Sequence, residues 1–140
     1  DHRGQFCAIL AGYRDEMRDM LKLNPGFESR IQFNLEFPDY NRDELREISK
    51  CFLSKRKYEI KENALELLLD ITEYYRNKPN FANARTVRNI VDQVIMNQNL
   101  RTEDSAGDNV IIVDDVEDYL IDENIDLENK KHTDNRIGFV

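Results

Sequence analysis

Cysteine and histidine are scarce in this 140-residue chain, with two of each. Cys7 and Cys51 lie far apart, so they supply neither a disulfide framework nor a metal-binding spacing. They read as two reduced, buried thiols of a cytoplasmic protein. His2 and His132 sit near opposite ends with no cysteine beside them, which excludes the usual zinc arrangements. No apolar run approaches the ~20 residues of a membrane-spanning helix. No signal-peptide pattern stands at the start, and no repeat or low-complexity tract interrupts the chain. A clustered excess of positive charge is missing too. Residues 1–100 carry 16 acidic and 16 basic side chains, and residues 101–140 carry 12 and 4, which accounts for the whole net charge of −8. A balanced body with an acidic end lacks the basic face that a nucleic-acid backbone demands, so neither nucleic acid nor membrane is expected as a partner. The chain starts at Asp1 with no initiator Met, close to a strand-like run. It reads as a piece of a longer protein.

Hydrophobic periodicity divides the remainder near Pro38. Residues 5–11 form a short continuous apolar run, as in a strand covered on both faces. Residues 14–22 predict a short helix with Met17, Met20 and Leu21 on one side. Ile31, Phe33, Leu35 and Phe37 alternate with polar neighbours in strict period two, which predicts a second strand. Beyond Pro38 the period becomes helical. Leu45, Ile48 and Phe52 mark one helix, with Asp43 and Glu44 in the first turn, where the helix dipole favours them. Ala64, Leu65, Leu68, Ile71 and Tyr75 mark another, which Lys78-Pro79 ends. Ala84, Val87, Val91, Val94, Ile95 and Gln98 mark a third, for which Asn83 is the natural cap. A short strand over 110–113 and a short helix over 114–122 follow. Lys55-Arg56-Lys57 reads as a solvated basic loop. The expected fold is mostly α with a small β part: residues 1–38 contribute two strands to a larger α/β layer, residues 39–122 form a helical subdomain, and residues 123–140 form a flexible acidic tail. Two strands are too few to stand as such a layer alone.

Two segments carry the chemistry. One is Asn24-Pro25-Gly26-Phe27-Glu28-Ser29-Arg30-Ile31, a turn feeding a strand-like run. The other is Asn83-Ala84-Arg85-Thr86-Val87-Arg88-Asn89, which opens a helix. The amino end of a helix carries partial positive charge, so Arg85 and Arg88 in its first turns are unfavourable by local rules. Local rules are most often broken at functional sites, and a helix amino end flanked by arginines suits an anion, phosphate above all. Arg85 and Arg88 share one helix face. The bland alternative pairs Arg88 with Asp92, four residues on, as a surface salt bridge.

In this order and spacing, Ala8-Ile9-Leu10-Ala11-Gly12-Tyr13, residues 24–31, Phe37-Pro38-Asp39-Tyr40 and residues 83–89 resemble the carboxy-terminal half of an AAA+ ATPase. The similar branch contains stage V sporulation protein K and the red-type Rubisco activase, with related modules in type VII secretion ATPases. The resemblance covers about residues 5–100. It implies the end of the large α/β subdomain followed by a helical lid, in a protein that binds and hydrolyses ATP with Mg²⁺, assembles with copies of itself in a ring, and remodels a protein substrate. It assigns residues 5–11 to the sensor-1 strand, with Tyr13 at the sensor-1 position. Arg30 matches the arginine finger that reaches the neighbouring subunit's nucleotide. Arg85 matches the sensor-2 arginine, with Arg88 and Asn83 beside it at the nucleotide, and Ile48 lies near the base.

The chain departs from the family in places. Many members carry Asn where Tyr13 stands, and a second finger arginine where Phe27 stands. No Gly-rich loop ends in Gly-Lys-Ser/Thr, and no apolar strand ends in Asp-Glu; the Asp-Glu pairs at 15–16, 43–44 and 122–123 fall in helix-like or tail segments. Without a phosphate cradle this segment is not expected to hydrolyse ATP, or to hold ATP or Mg²⁺, by itself. The competing expectation is a non-catalytic helical protein-interaction module.

Overall fold

The computed structural model describes residues 7–23, 26, 29–31, 33–103 and 108–127. They fall into two units, with the boundary between Pro38 and Asp39.

The described residues of the first unit include helix α1, Arg14–Leu23. Met17, Met20 and Leu21 are its half-buried residues, as the spacing predicts, but none is fully buried. Gly12 lets Met17 approach, since a Cβ there would stand 2.9 Å from the Met17 sulfur. Arg14 pairs with Glu36 at 3.0 Å. The two predicted strands do not form among the described residues: 7–13 and 33–38 have no regular structure, and Phe33, Leu35 and Phe37 are all exposed. A strand satisfies its backbone only against a neighbouring strand, and the described residues of this unit offer none.

The described residues of the second unit form four helices and one parallel strand pair. Helix α2, Arg42–Lys55, opens with a reciprocal cap: the Glu44 N–H donates to the Asn41 side chain at 2.9 Å, and the Asn41 N–H donates to the Glu44 carboxylate at 2.8 Å. Its sealed face is Leu45, Ser49 and Leu53, with Ile48 and Phe52 half-buried beside it. The stripe is thus turned by one residue from the expected one, and Cys51 falls on the outer side. Both Cys7 and Cys51 are exposed, against the expectation of buried thiols. The basic run Lys55 to Lys57 forms a turn only at its last two residues. Lys55 ends α2, and Lys57 takes a left-handed φ of 63° as the chain turns.

Strand β1, Glu59–Ile60, follows, then helix α3, Glu62–Arg76, which buries Ala64, Leu65, Leu68, Leu69, Ile71 and Thr72. Helix α4, Ala84–Arg101, buries Val87, Ile90, Val91 and Val94, and also Asn97 and Gln98. Strand β2, Val110–Ile111, pairs in parallel with β1, Glu59 opposite Val110 and Ile60 opposite Ile111. Helix α5, Val113–Asp122, closes the bundle with Val116 and Tyr119. The core is one cluster drawn from all four helices and β2. After α5, Ile125 and Leu127 still pack against that cluster, so the first residues of the expected tail belong to the bundle. Residues 128–140 lie outside the described residues.

Polar fastenings hold the elements in register. Glu66 on α3 accepts from Arg42 at 2.9 Å and also from Arg46, which reaches Glu62 at 2.6 Å as well. These hydrogen bonds, Arg42's first and Arg46's second, hold the Glu66 carboxyl below its ordinary range. The buried Asp115 carboxylate accepts from Arg101 Nε at 2.7 Å and from the Ile112 N–H at 2.9 Å. Arg101 also donates to the Val110 carbonyl at 3.1 Å. One guanidinium therefore ties the end of α4 to β2 and to the opening of α5. The Tyr75 and Tyr119 hydroxyls lie 3.1 Å apart, and burial first, then that contact, raises the Tyr119 phenol far above its usual range. Among the described residues no helix is long and apolar enough to cross a membrane.

Candidate functional site

The opening of α4 is shaped by an unusual backbone. Asn83 stands at φ 50°, ψ −121°, a region that glycine adopts readily and other residues rarely. The Arg85 N–H donates to the Ala82 carbonyl at 3.0 Å, so residues 82–85 form a tight turn with Asn83 in its first central position. The Val87 N–H donates to the Asn83 carbonyl at 3.1 Å and begins the helix. Thr86 reaches back, its hydroxyl oxygen accepting from the Ala82 N–H at 2.9 Å.

The expected cap is absent. Asn83 makes no side-chain hydrogen bond to the first turn of α4. Its side-chain oxygen accepts from the Tyr40 N–H at 3.0 Å, and its side-chain nitrogen donates to the Asp39 carboxylate at 2.7 Å. The first turn of α4 holds no acidic residue either. The positive end of this helix is thus left without a capping side chain or a counter-charge from its own first turn.

Two exposed arginines stand beside it. Arg85 has no hydrogen-bond or ion-pair partner among the described residues. Arg88 lies over the Phe52 ring of α2, its guanidinium carbon 5.2 Å from the centroid. The bland alternative for Arg88 is not what forms: Asp92 pairs with Arg56, which lies over the same ring at 5.9 Å. Phe52 is one helical turn from Ile48. The second unit therefore brings Asn83, Arg85, Arg88 and the half-buried Ile48 into the α2–α4 region. Arg30 and Tyr13 belong to the first unit, where both are exposed, Arg30 in a turn and Tyr13 just before α1. Among the described residues no three His, Cys, Asp or Glu converge as a metal site. Sequence reasoning missed the bonds from Asn83 to residues 39–40. The signal was there in a weak form, since asparagine tolerates positive φ better than most residues.

The second unit is thus mainly helical, with a short parallel strand pair and an uncapped helix end flanked by arginines. A family model described as AAA lid domain matches residues 41–134, and the chain belongs to that family. It is 41% identical over 98 residues to Protein CbbX of Cereibacter sphaeroides, covering 70% of this chain and 32% of that protein. It is 40% identical over 98 residues to a Protein CfxQ homolog of Pyropia yezoensis, covering 70% and 33%. With the chromosomal Protein CbxX of Cupriavidus necator it shares 37% over 115 residues, 82% and 35% of the two lengths. The chain spans about a third of the length of these curated relatives.

Proposed function

We propose that this chain is the carboxy-terminal part of an AAA+ ATPase of the CbbX/CfxQ kind, one that binds and hydrolyses ATP in a ring of identical subunits and remodels a protein partner in the cytoplasm. The observation that carries this reading is the amino end of α4. In a chain of the AAA lid family, a helix end with no side-chain cap and no acidic residue in its own first turn stands beside Arg85 and Arg88, neither of which is paired with a carboxylate among the described residues. Such an end attracts phosphate oxygens through its free N–H groups and its dipole, and a guanidinium offers them a planar fork of donors. In this reading Arg85 contacts the phosphates bound to its own subunit and Arg88 stands second to it. Ile48 lines the region of the base, Arg30 serves the neighbouring subunit's site, and Tyr13 occupies the sensor-1 position. Asn83, with both ends of its amide engaged, acts beside the nucleotide rather than on it. ATP and Mg²⁺ belong in this reading to the ring as a whole, and no residue of this chain is given a role towards the ion.

The test is made in the protein that carries this chain. Arg30→Ala is expected to abolish ATP turnover while sparing nucleotide binding, because the developing charge on the transferred phosphoryl group loses its stabilising guanidinium, an effect of roughly a thousandfold or more in rate. Arg85→Ala is expected to weaken binding or turnover. Unchanged turnover in Arg30→Ala rejects the finger assignment, and an intact nucleotide response in Arg85→Ala removes it from the site. A parent protein indifferent to nucleotide is instead a helical interaction module.

A further inference from the structure

Asn83 holds a strained backbone and gives its side chain to the wrong place for a cap. Its two polar atoms are spent on the Tyr40 N–H, at 3.0 Å, and on the Asp39 carboxylate, at 2.7 Å. These are the first two residues of the helical unit, immediately after Pro38. The same two residues are held from a second side. The Arg76 guanidinium donates to the Tyr40 carbonyl at 2.6 Å, is fixed by the Glu73 carboxylate at 2.9 and 3.0 Å, and lies 5.5 Å from the centre of the Phe81 ring. Arg76 and Asn83 flank the loop between α3 and α4. Both outer residues of that loop therefore grip one dipeptide some forty positions earlier in the chain. Strain at a non-glycine residue persists only where its surroundings over-determine it, and here the surroundings are these bonds.

We propose that Asn83 is a positioning residue that couples occupancy of the anion site at the opening of α4 to residues 39–40, where the chain enters the helical unit. The inference rests on the reading of that helix end as an anion site. Any shift of the first turn of α4 that closes Arg85 and the free N–H groups around an anion moves the Asn83 backbone, because Asn83 supplies the carbonyl for the first helical bond. Its side chain passes that movement to the Tyr40 N–H and the Asp39 carboxylate directly, with no intervening residue. Keeping the amide on residues 39–40 also leaves the helix end uncapped and available.

The experiment follows backbone amide resonances of the full 140-residue chain during titration with sodium tripolyphosphate. In the unsubstituted chain the Arg85 and Thr86 amides shift, and the Tyr40 amide shifts with the same midpoint. Asn83→Asp sets a second carboxylate against Asp39, and their repulsion opens the clasp on residues 39–40, so the Tyr40 response is lost while the α4 response remains. Combining Asn83→Asp with Asp39→Asn restores a donor–acceptor pair with its direction reversed, and the Tyr40 response returns. A merely structural role for Asn83 does not yield a loss and rescue confined to the Tyr40 response. If the α4 amides shift and Tyr40 does not, or shifts with another midpoint, the coupling is overturned and the anion site stands. If no α4 amide shifts, the anion site itself is wrong and the coupling falls with it.

Discussion

Phe33, Leu35 and Phe37 in the first unit and Leu65, Leu68 and Leu69 in the second are all large apolar side chains in strongly patterned segments. The first three are exposed by more than three quarters of their surface, and the last three are sealed completely. The difference lies in where each segment finds its hydrogen bonds. A helix closes its backbone bonds within itself, four residues apart, so α3 needs only a surface on which to lay its apolar face. A strand closes them against another strand, and its alternating face is covered only once that pairing exists. The same contrast appears inside the second unit. The four helices there run 10 to 18 residues, and the strand pair that accompanies them is only two residues long on each side.

Substitution at the two kinds of apolar residue sharpens the comparison most. Leu68→Ala removes a sealed side chain from the centre of the α3 face and is expected to cost about 2–5 kcal/mol, a large fraction of the roughly 5–15 kcal/mol that holds an ordinary domain folded. Phe33→Ala removes a larger side chain and is expected to change stability by under ~0.5 kcal/mol, as exposed substitutions do. Denaturant unfolding of the 140-residue chain, followed by its helical signal, measures both. A loss on Phe33→Ala approaching that of Leu68→Ala means that Phe33 is covered in solution, and the contrast between the units fails.

The next effect lies where a local and a long-range element meet. Asp115 is fully buried and Arg101 is a third exposed. Arg101→Met keeps the stem and removes the charge, leaving a carboxylate in the core with the Ile112 N–H as its remaining side-chain contact from outside the α5 helix. The expected cost is about 2 kcal/mol, under the roughly 3–5 kcal/mol for breaking a fully enclosed pair, because water reaches Arg101. Denaturant unfolding measures the cost as a shift of the midpoint. A loss under ~0.5 kcal/mol, as at an exposed site, shows that Asp115 does not depend on Arg101 in solution.

What was legible in the residues follows the same division. The four helices of the second unit, the short strand at 110–111 and most of the core were readable, because 3.6-residue periodicity and turn residues act locally. Strand β1 was not, because two residues carry no period and Glu59–Ile60 is a strand only through Val110–Ile111. The α2 stripe was misread by one position because Ser49, sealed with its hydroxyl on the Leu45 carbonyl at 2.8 Å, looks polar in the sequence. At the candidate site, Arg85 and Arg88 were visible as violations of the helix-dipole rule. The second attachment of Asn83 was not, since a cap and a clasp to residues 39–40 begin from the same residue type.

Gln98 is where burial outruns polar satisfaction, and it gives the smallest expected effect. It is 1% exposed, and neither its side-chain oxygen nor its side-chain nitrogen has a partner among the described residues. Its main-chain carbonyl is satisfied separately by the Thr102 hydroxyl at 2.9 Å and N–H at 3.1 Å, so substitution leaves the end of α4 intact. Met matches Gln in length and flexibility and carries no strong polar group to desolvate. Gln98→Met is therefore expected to raise stability by about 1 kcal/mol, the low end of the penalty for an unsatisfied buried amide. A rise in the unfolding midpoint at unchanged slope records that gain. A fall of the midpoint instead shows that the amide is satisfied in solution, through a buried water or a repacked neighbour, and then the second unit meets its polar requirements as fully as its apolar ones.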